Sequence, residues 1–204
     1  MQPDYWNKAK KHLTKQCPIM GKLIKQYAGE GLTARGDGFF TLARSIVGQQ
    51  ISVKAADAIW GRLAATVNPL TPETIFATPD ETLRTCGLST SKIAYLKNIA
   101  LFFIESNMPA HWDNHSDEEV IAALTTIKGV GSWTAEMFLI FHLLRPDVLP
   151  LKDLGLLKAI DLHYTGGKRL TNKEYQAIAA PWAPYRSVAT WYLWRALDPV
   201  PVEY

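Results

Sequence analysis

Apolar residues recur along this chain at helical spacing, and no sustained apolar/polar alternation bounded by hairpin turns occurs anywhere in it. That property argues against sheet-based architectures and leaves helices packed on helices. Ala56, Ile59, Trp60, Leu63, Ala64 and Val67 fall at i, i+3, i+4, i+7, i+8 and i+11, one apolar stripe. Ile93, Leu96, Ala100, Phe103 and Ile104 repeat the pattern, with Ser89 or Ser91 placed to cap that helix. Trp133, Met137, Ile140, Phe141 and Leu144 form a third stripe. The residues between them are also largely apolar, so this helix is expected to be buried on most sides. Breaks fall at 36–38, 68–72, 86–91, 106–116, 128–131, 145–150, 165–168 and 181–184. They leave about ten helices joined by short loops, an all-α fold.

A chain of 204 residues has room for one compact unit or two small lobes around a cleft. Apolar runs stop well short of the roughly 18 residues a membrane span needs, so no membrane association is expected. The opening MQPDYWNKAKKHLTKQ lacks the apolar core of a secretion signal. Cys17 and Cys86 are the only cysteines, too few for a four-cysteine zinc or iron–sulfur site or a disulfide framework. A reducing cytoplasm is the expected compartment. His12, His111, His115, His142 and His163 are scattered and suggest no catalytic metal.

The net charge of +3 is too small to identify a partner, but its distribution is uneven. Lys8, Lys10, Lys11, Lys15, Lys22 and Lys25 stand near the start against the single acid Asp4. Glu105, Asp113, Asp117, Glu118 and Glu119 form a stretch without lysine or arginine. Such a dipolar chain suits a protein that meets a polyanion with one side, and equally two solvated helix faces.

The most informative segment is LTTIKGVGSWTAEMFLIFHLLRPDVLPLKDLGLLKAI, residues 124–160. Ser116 and the acids after it open a short helix. Lys128-Gly129-Val130-Gly131 then places two glycines where backbone must turn sharply or approach something closely, and a new helix begins at Ser132. Amide donors at that helix start, aligned with its dipole, suit a phosphate, and Lys128 adds charge beside them. Taken alone, these glycines read as those of a tight turn between two helices, set there for steric relief. A weak echo, CGLSTSKIAYL at 86–96, repeats the scheme of a glycine turn entering an apolar helix.

The run L-x-x-I-K-G-V-G-x-W-T-A resembles the hairpin of the helix-hairpin-helix DNA glycosylase superfamily. P-L-K-D-L-G-L-L-K-A-I resembles the stretch where that superfamily carries its catalytic aspartate, here Asp153. LARSIVGQQISVKAADAIWGRL (42–63) is similar to the helix pair carrying the strand-penetrating residue, and APWAPYRSVATWYLW (180–194) to the C-terminal helix of the alkyl-purine branch. The blocks stand in the family's order, and they resemble bacterial 3-methyladenine DNA glycosylase II. The β-rich N-terminal domain of many such proteins has no expected counterpart in this shorter chain. The resemblance implies two helical lobes around a DNA-binding cleft. The central one, 37–145, ends in the hairpin, and the other is formed by 1–36 with 146–204.

It also implies a chemistry. Base excision takes the nucleotide out of the stack and stabilises positive charge on the sugar as the base leaves. Asp153 is the implied carboxylate, at a helix start that otherwise an ordinary capping aspartate would occupy. Relatives that also cut the strand use a hairpin lysine as nucleophile; Trp133 stands at that position, which implies base release leaving an intact abasic site. Trp133 and Trp194 fall at positions lining the base pocket, where aromatic faces attract cationic alkylated purines such as 3-methyladenine and 7-methylguanine. Met137 lies one turn beyond Trp133, as pocket wall or as apolar filler. Trp182, Tyr185, Trp191 and Tyr192 are expected mainly in the core.

Gln50 takes the wedge position, and Gln49 is expected to be a structural hydrogen-bonder. Lys128, Gly129, Gly131, Ser132 and Thr134, with Arg44 and Ser45, are the implied phosphate contacts. The backbone carbonyls of Thr125, Ile127 and Val130 are the implied holders of a monovalent Na+ or K+ ion; no other cofactor and no iron–sulfur cluster is expected. The implied partner is double-stranded DNA with damaged bases, met by a monomer in a bacterial cytoplasm at the nucleoid. Two other readings share the motifs: a helix-hairpin-helix DNA-binding module without catalysis, and a glycosylase for a deaminated or mismatched base.

Overall fold

The computed structural model describes residues 2–33, 37–106 and 111–197. The expected breaks at 36–38 and 106–116 therefore lie partly outside the described residues. Within them the chain forms twelve α-helices, two short 3-10 turns and no strand. They divide into two compact units, Arg35–Phe138 and Met1–Ala34 with Leu139–Glu203. The expected central lobe, 37–145, runs further than this division, which falls inside a helix. The physical reason lies in its last turn: Phe141 stacks on Trp194 at 5.7 Å, and the Leu139 carbonyl accepts the Arg145 amide.

The middle unit holds α3 (Gly38–Gly48), α4 (Val53–Thr66), α5 (Pro72–Ala77), α6 (Asp80–Thr85), α7 (Thr90–Glu105) and α8 (Asp117–Thr125), and it includes the start of α9 (Ser132–Phe141). Helix α7 is its hub, packing on α3, α5 and α6 and burying Ile93, Leu96, Ile99 and Ala100. Short polar side chains set the helix starts by accepting amide hydrogens that the first turn leaves without partners. Ser52 accepts from Ala55, Ser89 from Lys92, and Ser116 forms a reciprocal capping box with Glu119. The α4 stripe is narrower than its spacing suggests: Ala56, Leu63 and Val67 are buried, whereas Ala64 faces solvent. In α9 every residue from Met137 to Phe141 is buried, as its composition predicts.

The other unit is built from α1 (Trp6–Gln16), α2 (Pro18–Gln26), α10 (Leu154–Thr165), α11 (Asn172–Ala179) and α12 (Arg186–Leu197). Its core is aromatic. Trp6 meets Trp191 edge-on at 5.5 Å and lies against Tyr192 at 5.8 Å, while Trp182 packs on Tyr164 at 5.9 Å. Arg195 closes this unit with a two-pronged ion pair to Glu30. Most of the C-terminal aromatic cluster thus belongs to packing.

Candidate functional site

Asp153 is the N-cap of α10, and two features of the preceding chain place it there. The loop from Arg145 to Lys152 cannot continue a helix through Pro146 and Pro150. It is instead pinned to the first turn of α12. Ser187 Oγ donates to the Arg145 carbonyl (2.6 Å) and accepts the Val148 amide (2.9 Å). Arg186 grips Asp147 through Nε and a terminal nitrogen, each at 2.7 Å. Ser187→Ala would strip one buried loop amide of its acceptor and one carbonyl of its donor. It is expected to lower the unfolding free energy by about 1–3 kcal/mol, read from urea denaturation.

From that pinned loop the Asp153 side chain turns inward and is only 6% exposed. Its Oδ1 accepts the Leu156 amide at 2.6 Å and Trp194 Nε1–H at 2.7 Å. Trp194 is in turn fixed by its ring stack on Phe141, with planes 11° apart. Burying a carboxylate is costly unless hydrogen bonds meet it, and those to a charged acceptor are the stronger kind. The result is a carboxylate of set direction at a positive helix end. Leu154, the next residue, is 71% exposed, so the surface begins one residue away. Gly155 supplies the room: a Cβ there would stand 3.1 Å from Asp153 Oδ1 and 3.4 Å from Trp194 Cδ1. Reading the sequence alone overlooks Gly155, Ser187 and Arg186; the one available signal is a glycine inside a helix two residues after the aspartate.

In the middle unit the turn from α8 to α9 has the geometry its glycines predict. Gly129 has φ of +105°, and a Cβ on it would fall 2.3 Å from Tyr95 Cγ. Gly131 is exposed and its carbonyl accepts the first α9 bond, from Ala135 at 3.0 Å. Lys128 is exposed, while its carbonyl accepts from Asn98 Nδ2 at 3.3 Å. Ser132 and Trp133 are half-buried in the first turn of α9. Thr134 is buried, and its hydroxyl accepts from Gln49 Nε2 at 3.5 Å, a structural use of Gln49 in line with expectation. The echo at 86–96 is structural too: Gly87, φ +96°, precedes the start of α7 by the same interval at which Gly129 precedes α9.

Other candidates are placed less favourably. Ser45 is buried in α3, and this placement does not carry a phosphate contact from its hydroxyl. Arg44 is paired with Asp57 and lies over the Trp60 ring at 5.6 Å. Met137 is fully buried in α9. Thr125, at the end of α8, is exposed; Ile127 and Val130 are buried, with the Val130 amide on the Ile127 carbonyl at 3.0 Å. Gln50 is exposed with φ of +60°. Among the described residues no cluster of His, Cys, Asp or Glu could hold a metal ion, and no helix is long and apolar enough to cross a membrane.

The all-α fold thus carries a glycine-turned hairpin and a capped, oriented carboxylate. The chain belongs to the HhH-GPD superfamily of base excision DNA repair proteins, whose family model matches residues 43–184. It is 36% identical over 179 residues to DNA-3-methyladenine glycosylase 1 of Schizosaccharomyces pombe, covering 85% of this chain and 78% of that protein. To DNA-3-methyladenine glycosylase 2 of Escherichia coli it is 26% identical over 186 residues, 86% of this chain and 63% of that one. A solved structure of the S. pombe 3-methyladenine DNA glycosylase in complex with abasic DNA superposes with a TM-score of 0.82 at 34% identity, covering 92% of this chain and 95% of that chain.

Proposed function

We propose that this protein is a monofunctional DNA glycosylase that releases alkylated purines of the 3-methyladenine and 7-methylguanine type, leaving an abasic site. The observation that carries the reading is Asp153, a buried carboxylate aimed by the Leu156 amide and the Trp194 indole. A protein that only bound DNA would have no use for a negative charge held so firmly. The names of the relatives support an alkylated base as substrate. In this reading the Gly129–Ser132 turn, the Thr134 backbone and exposed Lys128 take the DNA backbone. Gln50 fills the gap that the extruded nucleotide leaves, and the lesion meets aromatic faces, for which Trp133 and Trp194 are each candidates. Asp153 then stabilises the sugar cation as the base departs with the bonding electrons. Water adds to C1′ and loses a proton, completing hydrolysis. Trp133 offers no amine, so no Schiff base forms and the strand stays intact.

The carbonyls of Thr125, Ile127 and Val130 would hold a monovalent cation beside a DNA phosphate. Neutral backbone oxygens at a turn suit a singly charged hard ion. The protein acts on duplex DNA as a monomer.

The test is incubation with methylated duplex DNA, identifying free bases by chromatography and abasic sites by alkali. Release of 3-methyladenine with breaks only after alkali is expected; breaks without alkali, or no free base, would overturn the reading. Gly155→Ala provides a finer check. Alanine favours a helix by about 1 kcal/mol over glycine, while its Cβ would press on Asp153 Oδ1. Base release is expected to slow ~10-fold with Tm unchanged or raised, because displacing an aligned group is costly to rate.

A further inference from the structure

The end of α3 is held in an uncommon way. Gln50 has φ of +60°, a region that a residue with a side chain enters only when its surroundings impose it. It is nonetheless exposed, so core packing does not do the imposing. Two interactions hold the residues just before it. Lys92, in the first turn of α7, directs its ammonium to the carbonyls of Val47 (2.7 Å) and Gln49 (2.9 Å), acceptors at the end of a helix that would otherwise lack partners. Gln49 Nε2 reaches the Gly129 carbonyl at 3.4 Å and the Thr134 hydroxyl at 3.5 Å, one in the hairpin turn and one in the helix that follows it. The Gln49 amide meanwhile returns to Ser45 and Ile46. Burial draws the Lys92 ammonium below its ordinary pKa, the mark of a cation kept partly out of water. A lysine serving only solubility would extend into solvent; this one lies along a helix end whose dipole it opposes.

The geometry points to Lys92 as a positioning residue that fixes the Gln50 turn. With Gln49 tying the same turn to the hairpin, gripping of the DNA backbone and entry of Gln50 into the stack become one motion of a rigid piece. The inference rests on the base-flipping reading, yet it concerns insertion and not bond cleavage. Nothing in it requires Lys92 to touch DNA, since two of its donors are already committed to carbonyls.

The experiment uses the full chain and two duplexes. One carries a single 7-methylguanine and reports release under single turnover. The other carries a tetrahydrofuran abasic analogue beside 2-aminopurine, whose fluorescence rises on unstacking without any chemistry. Lys92→Met is expected to lower both the fluorescence amplitude and the release rate ~10-fold, with duplex affinity within about two-fold. Lys92→Arg, which can still donate to both carbonyls, is expected to restore most of the loss. In a Gln50→Ala background Lys92→Met should add less than about a two-fold further loss, because it acts through that residue.

The proposal is overturned by unchanged fluorescence in Lys92→Met, by losses that multiply with Gln50→Ala, or by a fall in affinity with a shallower salt dependence, the behaviour of a phosphate ligand. Should Lys92→Met melt below the assay temperature, Lys92→Gln is read in the same way. If the wild-type protein raises the 2-aminopurine signal but frees no base, the glycosylase reading fails while the brace stands.

Discussion

Asp153→Asn is expected to reduce base release from methylated DNA by ~10² to 10³-fold while leaving the fold and duplex binding in place. An asparagine carbonyl can accept the Leu156 amide and the Trp194 indole, the two bonds that Asp153 Oδ1 accepts now. The α10 cap therefore survives and only the charge is removed. Duplex affinity should be equal or tighter, since a negative group has left the neighbourhood of phosphates. Single-turnover release, gel-shift affinity and thermal melting measured together separate the cases. Full activity in Asp153→Asn would remove this residue from the chemistry, whereas loss of binding along with activity would make it structural.

The largest structural effect is expected at Gly129. Gly129→Ala meets two penalties: a backbone at φ +105° and a Cβ set 2.3 Å from the Tyr95 ring. The first costs about 1–2 kcal/mol and the second, an overpacked contact, about 1–3 kcal/mol. Because the ring is attached to α7, relief requires the turn to move, and with it the amides at the start of α9. The unfolding free energy should fall by roughly 2–5 kcal/mol, and affinity for duplex DNA more than ~10-fold. Adding Tyr95→Ala removes the two ring contacts but leaves the Tyr95 Cβ 2.7 Å away and the backbone penalty untouched, so only a minor part of the stability should return. Gly131→Ala is the control. A Cβ there has nothing within 4 Å, and its effect on stability should be small.

Features determined by near neighbours in the chain were legible in advance. Ser89 and Ser116 cap the helices that follow them because capping is a matter of three residues. The bend at Gly129 and the cap at Asp153 are of the same kind. The helical nature of the chain followed from spacing alone. What escaped was carried by pairs far apart in sequence. Lys92 reaches carbonyls more than forty residues earlier, and Asp147 finds Arg186 across a similar interval. Side-chain length and charge say nothing about such partners until α3 lies on α7, or α12 beside the loop. Aromatic residues were ambiguous for a different reason. A tryptophan that fills a core and one that lines a pocket look alike, and Trp182 and Trp191 are of the first kind. Ala64 shows the converse, an apolar residue in good register that meets only solvent.

The carboxylate and the indole that aims it stand 41 residues apart, and the indole comes second. During synthesis the hairpin leaves the ribosome first, then Asp153, and only after α11 does the helix that carries Arg186, Ser187 and Trp194 follow. A chain that stops before α12 would therefore lack the indole donor of Asp153 and the anchors of the loop before it. Under the proposed function such a product is expected to release no base, because α12 carries the indole that aims the carboxylate.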